Sequence, residues 1–204
     1  MISILDLNIG NLRSLSYCLD YIGIKFRIIN NSKEINKSNI LIIPGAGSFD
    51  YAMSIVKKNN LNDSLKKFVE IKKKPLLGIC VGMQILFEKS EESKKKGLSF
   101  LKGKFIKLKN QKGYFVPNVG FSKIRKFKQN GIFKDFTDEP YLYFTNSYAL
   151  KSEKKQNFNK ATTQHSFEFV SAFEKENITG FQFHPELSHS TGMLMLKNFF
   201  IEKI

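Results

Sequence analysis

The chain has 204 residues, 42% of them hydrophobic, which suits one domain with a sizeable core (residues 1–204) and leaves too little for two. No apolar run reaches the roughly 18–20 residues of a membrane span, and the opening Met1-Ile2-Ser3-Ile4-Leu5-Asp6 has no basic leader, so we expect a cytoplasmic protein with no membrane partner. The formal charge of +15 is nearly all lysine, with Arg13, Arg27 and Arg125 the only arginines, and it is spread along the chain; no nucleic-acid partner is expected.

In chain order, Ser3–Leu7 reads as a buried strand. A polar turn, Asn8-Ile9-Gly10-Asn11, leads into a helix marked by Leu12, Leu15, Leu19 and Ile22 and stopped at Gly23. Lys25–Ile29 and Ile40–Ile43 are the next strands, the latter apolar throughout as a central parallel strand is. Pro44-Gly45-Ala46-Gly47 ends it. Helical patterns follow over Phe49–Lys57 and Leu61–Lys72, then a strand at Pro75–Ile79 runs into Cys80 and a short helix through Phe87. The second half is richer in strands, at Gly103–Leu108, Phe121–Ile124, Tyr141–Thr145, Ala161–His165, Glu168–Phe173 and Ile178–Phe183. A helix over Gly192–Ile201 closes the chain. Alternating strands and helices predict an α/β fold, a doubly wound, mostly parallel central sheet flanked by helices, with extra strands in the second half.

Chemistry concentrates at two places. Gly78-Ile79-Cys80-Val81-Gly82 has the form of a nucleophile elbow with cysteine as nucleophile: a strand ends, the chain turns tightly, and a helix begins at the thiol. The Val81 amide that follows is then placed to stabilise an oxyanion. Far along the chain, Phe181-Gln182-Phe183-His184-Pro185-Glu186 ends an apolar strand in a histidine, with a carboxylate two residues on. A histidine there can take the thiol proton, and the carboxylate can fix its tautomer. Either motif alone is compatible with a purely structural role; the pair favours catalysis. A metal site from His184, Glu186 and His189 has no further ligand cluster behind it, and neither metal nor cofactor is expected. Cys18 reads as a small buried hydrophobe, and His165 and His189 are left unassigned.

Taken together, these motifs resemble the class I (triad) glutamine amidotransferases, and among them the glutaminase subunits of imidazole glycerol phosphate synthase. The resemblance extends through Asp6 with Gly10-Asn11-Leu12, Pro44-Gly45-Ala46-Gly47-Ser48-Phe49, Gly78 through Phe87, Ser90-Glu91-Glu92, Gly97-Leu98, and Gln182 to Glu186 with Ser188, Gly192 and Asn198-Phe199. It implies Cys80 as nucleophile, His184 as general base and acid, and Glu186 as its orienter. It also implies backbone amides of Ala46, Gly47 and Val81 as an oxyanion hole, with Gln84, Ser147 and Tyr148 holding L-glutamine. The partner it implies is a cyclase-type subunit built as a (β/α)8 barrel. That partner forms a heterodimer with the glutaminase, receives the ammonia and makes imidazole glycerol phosphate and AICAR in histidine biosynthesis.

The family commonly has Pro-His-x-Gly-Trp-Asn where this chain has Pro117-Asn118-Val119-Gly120-Phe121-Ser122, and His where it has Asn146. These departures leave the triad intact and fall in segments expected to face the partner. They motivate an alternative acceptor, such as a sugar-amidating or acetamidino-forming synthase. A non-catalytic relative and a cysteine hydrolase on the same fold are further alternatives; the first would be favoured by a missing triad member, and none is missing.

Overall fold

The computed structural model describes residues 1–203. Strand β1 (Ile2–Leu5) leads to helix α1 (Leu12–Tyr21), β2 (Phe26–Ile29), α2 (Ser32–Lys37), β3 (Ile40–Ile43) and α3 (Phe49–Lys58). Helix α4 (Asn62–Lys66) continues as a π turn over Lys67–Ile71, closed by the Lys72 N–H on the Lys67 carbonyl at 2.9 Å. Then come β4 (Leu76–Ile79), α5 (Val81–Gln84), β5 (Phe87–Ser90), β6 (Leu101–Lys107), β7 (Asn118–Lys123), β8 (Tyr141–Asn146) and β9 (Tyr148–Leu150). Strands β10 (Asn159–Gln164), β11 (Glu168–Lys175) and β12 (Ile178–Phe181) precede the long helix α6 (His189–Lys203).

The main sheet has seven strands in the order β10-β11-β12-β4-β3-β1-β2. From β12 to β2 the neighbours are parallel, while β11 and β10 pair antiparallel at one edge. Strands β1, β3, β4 and β12 are buried along their whole length, as a sheet covered on both faces requires. The doubly wound, mostly parallel sheet read from the sequence is therefore present, and the extra strands form a three-stranded sheet β5-β6-β9 and the antiparallel pair β7-β8.

Several elements differ from expectation, among them β5 and β9, where no strand was read. Helix α2 has a single buried apolar residue, Ile35, and so lacks the stripe that periodicity detects. Its sign is a reciprocal cap instead: Asn31 Oδ1 accepts from the Glu34 N–H at 3.1 Å, and Asn31 Nδ2 donates to Glu34 Oε2 at 2.6 Å. The helix expected to run through Phe87 stops at Gln84. The Ile85 and Leu86 carbonyls accept instead from the N–H groups of Leu98 and Leu101, at 2.7 and 3.1 Å, which leaves Phe87 to start β5.

Glycine sets how closely the elements around Cys80 approach. A Cβ at Gly78 would lie 2.6 Å from the Gly82 carbonyl oxygen, and one at Gly82 would overlap the Ile43 carbonyl of β3. Helix α5 is thus seated directly on the ends of β3 and β4. Gly82→Ala should force the two apart, lowering stability by about 3 kcal/mol in chemical denaturation; a loss under about 0.5 kcal/mol would show that the seat yields.

Candidate active site

Cys80 stands one residue beyond β4, with φ 51° and ψ −112°, a backbone conformation that few non-glycine residues adopt. Its N–H donates to the Phe181 carbonyl at 2.7 Å, extending the β4–β12 ladder in which Gly78 faces Gly180 and Ile79 faces Phe181. His184 follows three residues past the end of β12, so the same pair of strands delivers the thiol and the imidazole to one end of the sheet. Open α/β sheets bind their ligands at this carboxyl end.

Ahead of Pro185, His184 is extended, at φ −100° and ψ 99°. Its N–H donates to the Tyr143 carbonyl at 2.8 Å, its carbonyl accepts from Ser188 Oγ at 2.6 Å, and Ser188 Oγ accepts from the Tyr143 N–H at 2.9 Å. The 3-10 turn Pro185–Leu187 brings Glu186 back onto the ring, where Nδ1 meets Oε1 at 2.8 Å with both side chains about 95% buried (4% and 5% exposed). His184 Nε2 is buried without a regular hydrogen bond and is left to the neighbouring Cys80 thiol. Burial alone would depress the His184 pKa. Its interactions with Cys80 and Glu186 outweigh that, and the imidazole is pushed up to about 10.

Of the oxyanion-hole candidates, Val81 is already engaged as a donor. The Val81 N–H donates to the Gly45 carbonyl at 3.4 Å, so an acceptor lies where the oxyanion would be received. Ala46 and Gly47 are exposed at the surface, with Gly47 at φ 147°. The N-terminal turn packs on this strand, since a Cβ on Gly10 would lie 3.3 Å from Ala46 N. The strand's exit is held: the Phe49 N–H donates to Glu92 Oε2 at 2.8 Å, and Asp50 accepts from Ser93 Oγ at 2.6 Å and Lys95 Nζ at 2.7 Å.

Gln84 is buried beside the thiol, and its Nε2 donates to the Tyr148 carbonyl at 3.4 Å and to Gln182 Oε1 at 3.2 Å. Ser147 sits half-buried at the break between β8 and β9, its carbonyl accepting from the Leu108 N–H at 2.8 Å. Asn146 Nδ2 also donates to the Tyr148 carbonyl, at 3.1 Å. Two residues that carried the resemblance without a role belong here. Glu92 holds the exit of the glycine strand, and Gln182 Nε2 donates to Cys80 Sγ at 3.7 Å. The available sign of Gln182 was a polar side chain between Phe181 and Phe183, immediately before the histidine.

The remaining candidates make no contact with the Cys80 sulfur, although the Cys18 thiol donates to the Glu186 carbonyl at 3.9 Å. His165 is buried, its Nε2 against the Phe115 carbonyl at 3.1 Å and its ring on Tyr114. His189 stacks on Phe121 with ring centroids 5.5 Å apart. Cys18 is buried in the core, its thiol pKa raised by burial and then by Glu186. Among the described residues, no group of three His, Cys, Asp or Glu side chains is arranged to hold a metal ion.

Residues 3–203 match the family described as glutamine amidotransferase class-I. The chain is 40% identical, over 98% of its length and of the relative's, to imidazole glycerol phosphate synthase subunit HisH 2 of Methanococcus maripaludis. It is also 40% identical to subunit HisH of Caldanaerobacter subterraneus, over 98% of this chain and 97% of that one. Among solved structures, one described as a glutamine amidotransferase superposes with a TM-score of 0.74 at 17% identity, over 98% of this chain and 97% of that one. PurLQS from Thermotoga maritima gives 0.72, at 16% identity over 98% and 97%. Likeness at that identity shows the fold.

A direct check of the thiol–imidazole pairing is the titration of His184. Its ring resonances should move near pH 10 and not near 6.5, and Cys80→Ala should bring that midpoint down. A midpoint near 6.5 in the unaltered chain would mean that the two groups do not interact.

Proposed function

The chain belongs to the class I glutamine amidotransferases, and we propose that it is the glutaminase subunit of an imidazole glycerol phosphate synthase, hydrolysing L-glutamine and passing ammonia to a cyclase subunit. The observation that carries this reading is the convergence of Cys80, His184 and Glu186 from the adjoining ends of β4 and β12, in a chain 40% identical to subunits of that name. The proposed unit is one domain, residues 1–204, working in the cytoplasm as a heterodimer with a (β/α)8-barrel cyclase.

In the proposed mechanism the Cys80 sulfur, as thiolate, attacks the side-chain amide carbon of glutamine. The carbonyl oxygen becomes the oxyanion of a tetrahedral intermediate. His184, held in its protonated form by Glu186 and the sulfur, gives its proton to the departing nitrogen, and ammonia leaves a thioester on Cys80. A water, deprotonated by His184, then attacks the thioester and releases glutamate. Gln84 and the Ser147–Tyr148 segment hold the substrate. No step needs a cofactor.

Oxyanion stabilisation requires the Val81 N–H, which the Gly45 carbonyl occupies at rest. One absent donor costs about 2.7–4 kcal/mol, or roughly a hundredfold to a thousandfold in rate. The Gly45–Ser48 strand must therefore turn its peptide before catalysis, and docking of the partner is the event we assign to it. The exposed side chains of Val119, Phe121 and Tyr141 on β7 and β8 suit the docking face. Ammonia is largely protonated at neutral pH and then no longer nucleophilic, which explains why the product is passed within a complex.

The chain alone should show little glutaminase turnover, and the cyclase subunit should raise it roughly a hundredfold or more. In the assembled complex, Cys80→Ala should abolish glutamine-dependent imidazole glycerol phosphate synthesis and spare synthesis from added ammonium. Full glutamine-dependent synthesis by that variant would end the proposal.

A further inference from the structure

We propose that Gln182 is a further catalytic residue, its side-chain amide donating to the Cys80 sulfur and stabilising the thiolate, with its polarity set through Gln84 by the Tyr148 carbonyl. This deepens the glutaminase reading and rests on it.

Gln182 is fully buried, so both ends of its amide must find partners inside the protein. They do. Nε2 donates to Cys80 Sγ at 3.7 Å, and Oε1 accepts from Gln84 Nε2 at 3.2 Å. The two ends of an amide are alike in shape and opposite in polarity. Turned over, the same side chain would put an oxygen against the thiolate and oppose its formation. What holds the donor toward the sulfur is therefore the central question, and the answer lies outside the triad.

The Tyr148 backbone carbonyl can only accept. It receives Asn146 Nδ2 at 3.1 Å and Gln84 Nε2 at 3.4 Å. With its NH₂ group committed there, Gln84 also presents nitrogen to Gln182, which leaves Gln182 to present oxygen in return and nitrogen to the sulfur. On the other side, Asn146 Oδ1 accepts from Asn118 Nδ2 at 3.3 Å, and the two asparagines face each other across the β7–β8 pair. One fixed carbonyl thus orders four amides. Asn118 and Asn146 are also two of the positions where the resembled family has histidine. Imidazoles there would change charge near neutral pH, whereas amides keep one polarity throughout.

The groups that meet the sulfur are few. The thiol can donate to the Thr145 carbonyl, at 4.0 Å, which offers nothing to a thiolate. His184 is the charged neighbour, backed by Glu186. The Val81 N–H is turned to Gly45. Gln182 is the neutral donor that remains.

The test is alkylation of Cys80 by iodoacetamide across neutral pH, followed at that residue by mass spectrometry on the isolated full chain. It needs neither glutamine nor a partner, and the unfolding midpoint is read on the same samples. Gln182→Met, similar in length but without a donor, should slow alkylation about tenfold and move its rise to higher pH. Gln182→Glu should slow it further. A folded Gln182→Met chain with an unchanged profile would overturn the proposal and leave the glutaminase assignment standing. Should that variant not fold, Gln84→Met decides, since it removes the donor that holds Gln182 Oε1 and leaves Gln182 in place: about threefold slower alkylation is expected, and an unchanged rate overturns the proposal. A complex without glutaminase activity whose Cys80 still responds in this way would reject the enzyme reading alone.

Discussion

The chemistry of this molecule depends on the register between two parallel strands, β4 and β12. They are neighbours in the sheet yet separated by about half the chain, and Ile79 lies opposite Phe181. The Cys80 N–H continues that ladder to the Phe181 carbonyl, which ties the position of the thiol to the strand leading to His184. Because side chains alternate along a strand, a slip of one residue would turn Gln182 away and replace it with a phenylalanine ring. Both strands are buried along their whole length, so the pairing that brings Cys80 and His184 to one end of the sheet lies within the core.

Legibility followed how local each signal was. Ile40–Ile43 was readable to the residue because a covered central strand needs an unbroken apolar run. The elbow at Cys80 and the turn at Pro185 were readable because each is written in adjacent residues. The stop of α5 was not, since it is imposed by the N–H groups of Leu98, in the loop after β5, and Leu101, at the start of β6. Helix α2 was lost because its one buried side chain leaves no stripe. The role of Gln182 was out of reach for another reason: which end of an amide meets the sulfur depends on a carbonyl at Tyr148, 34 residues away in sequence.

Close approach and adjustability are divided within one short region. Gly78 and Gly82 let α5 settle on the sheet with no room for a methyl group, which fixes the thiol. Gly45 is packed against Val81 and Gly82, while Ala46 and Gly47 next to it are exposed. Beyond them, Glu92 on the Phe49 N–H and the Asp50 contacts to Ser93 and Lys95 anchor the start of α3. The peptide turn proposed for this segment would therefore be confined to a few residues between two packed ends, and the scaffold under Cys80 need not follow it.

The backbone at Cys80, with φ 51° and ψ −112°, has one further consequence. Glycine would occupy that conformation with about 1–3 kcal/mol less strain than any side chain. A lineage released from the need to make ammonia would thus gain thermodynamically by losing its sulfur, and decay of the enzyme would favour the fold. Cysteine at this position therefore serves the proposed chemistry at a cost to the fold.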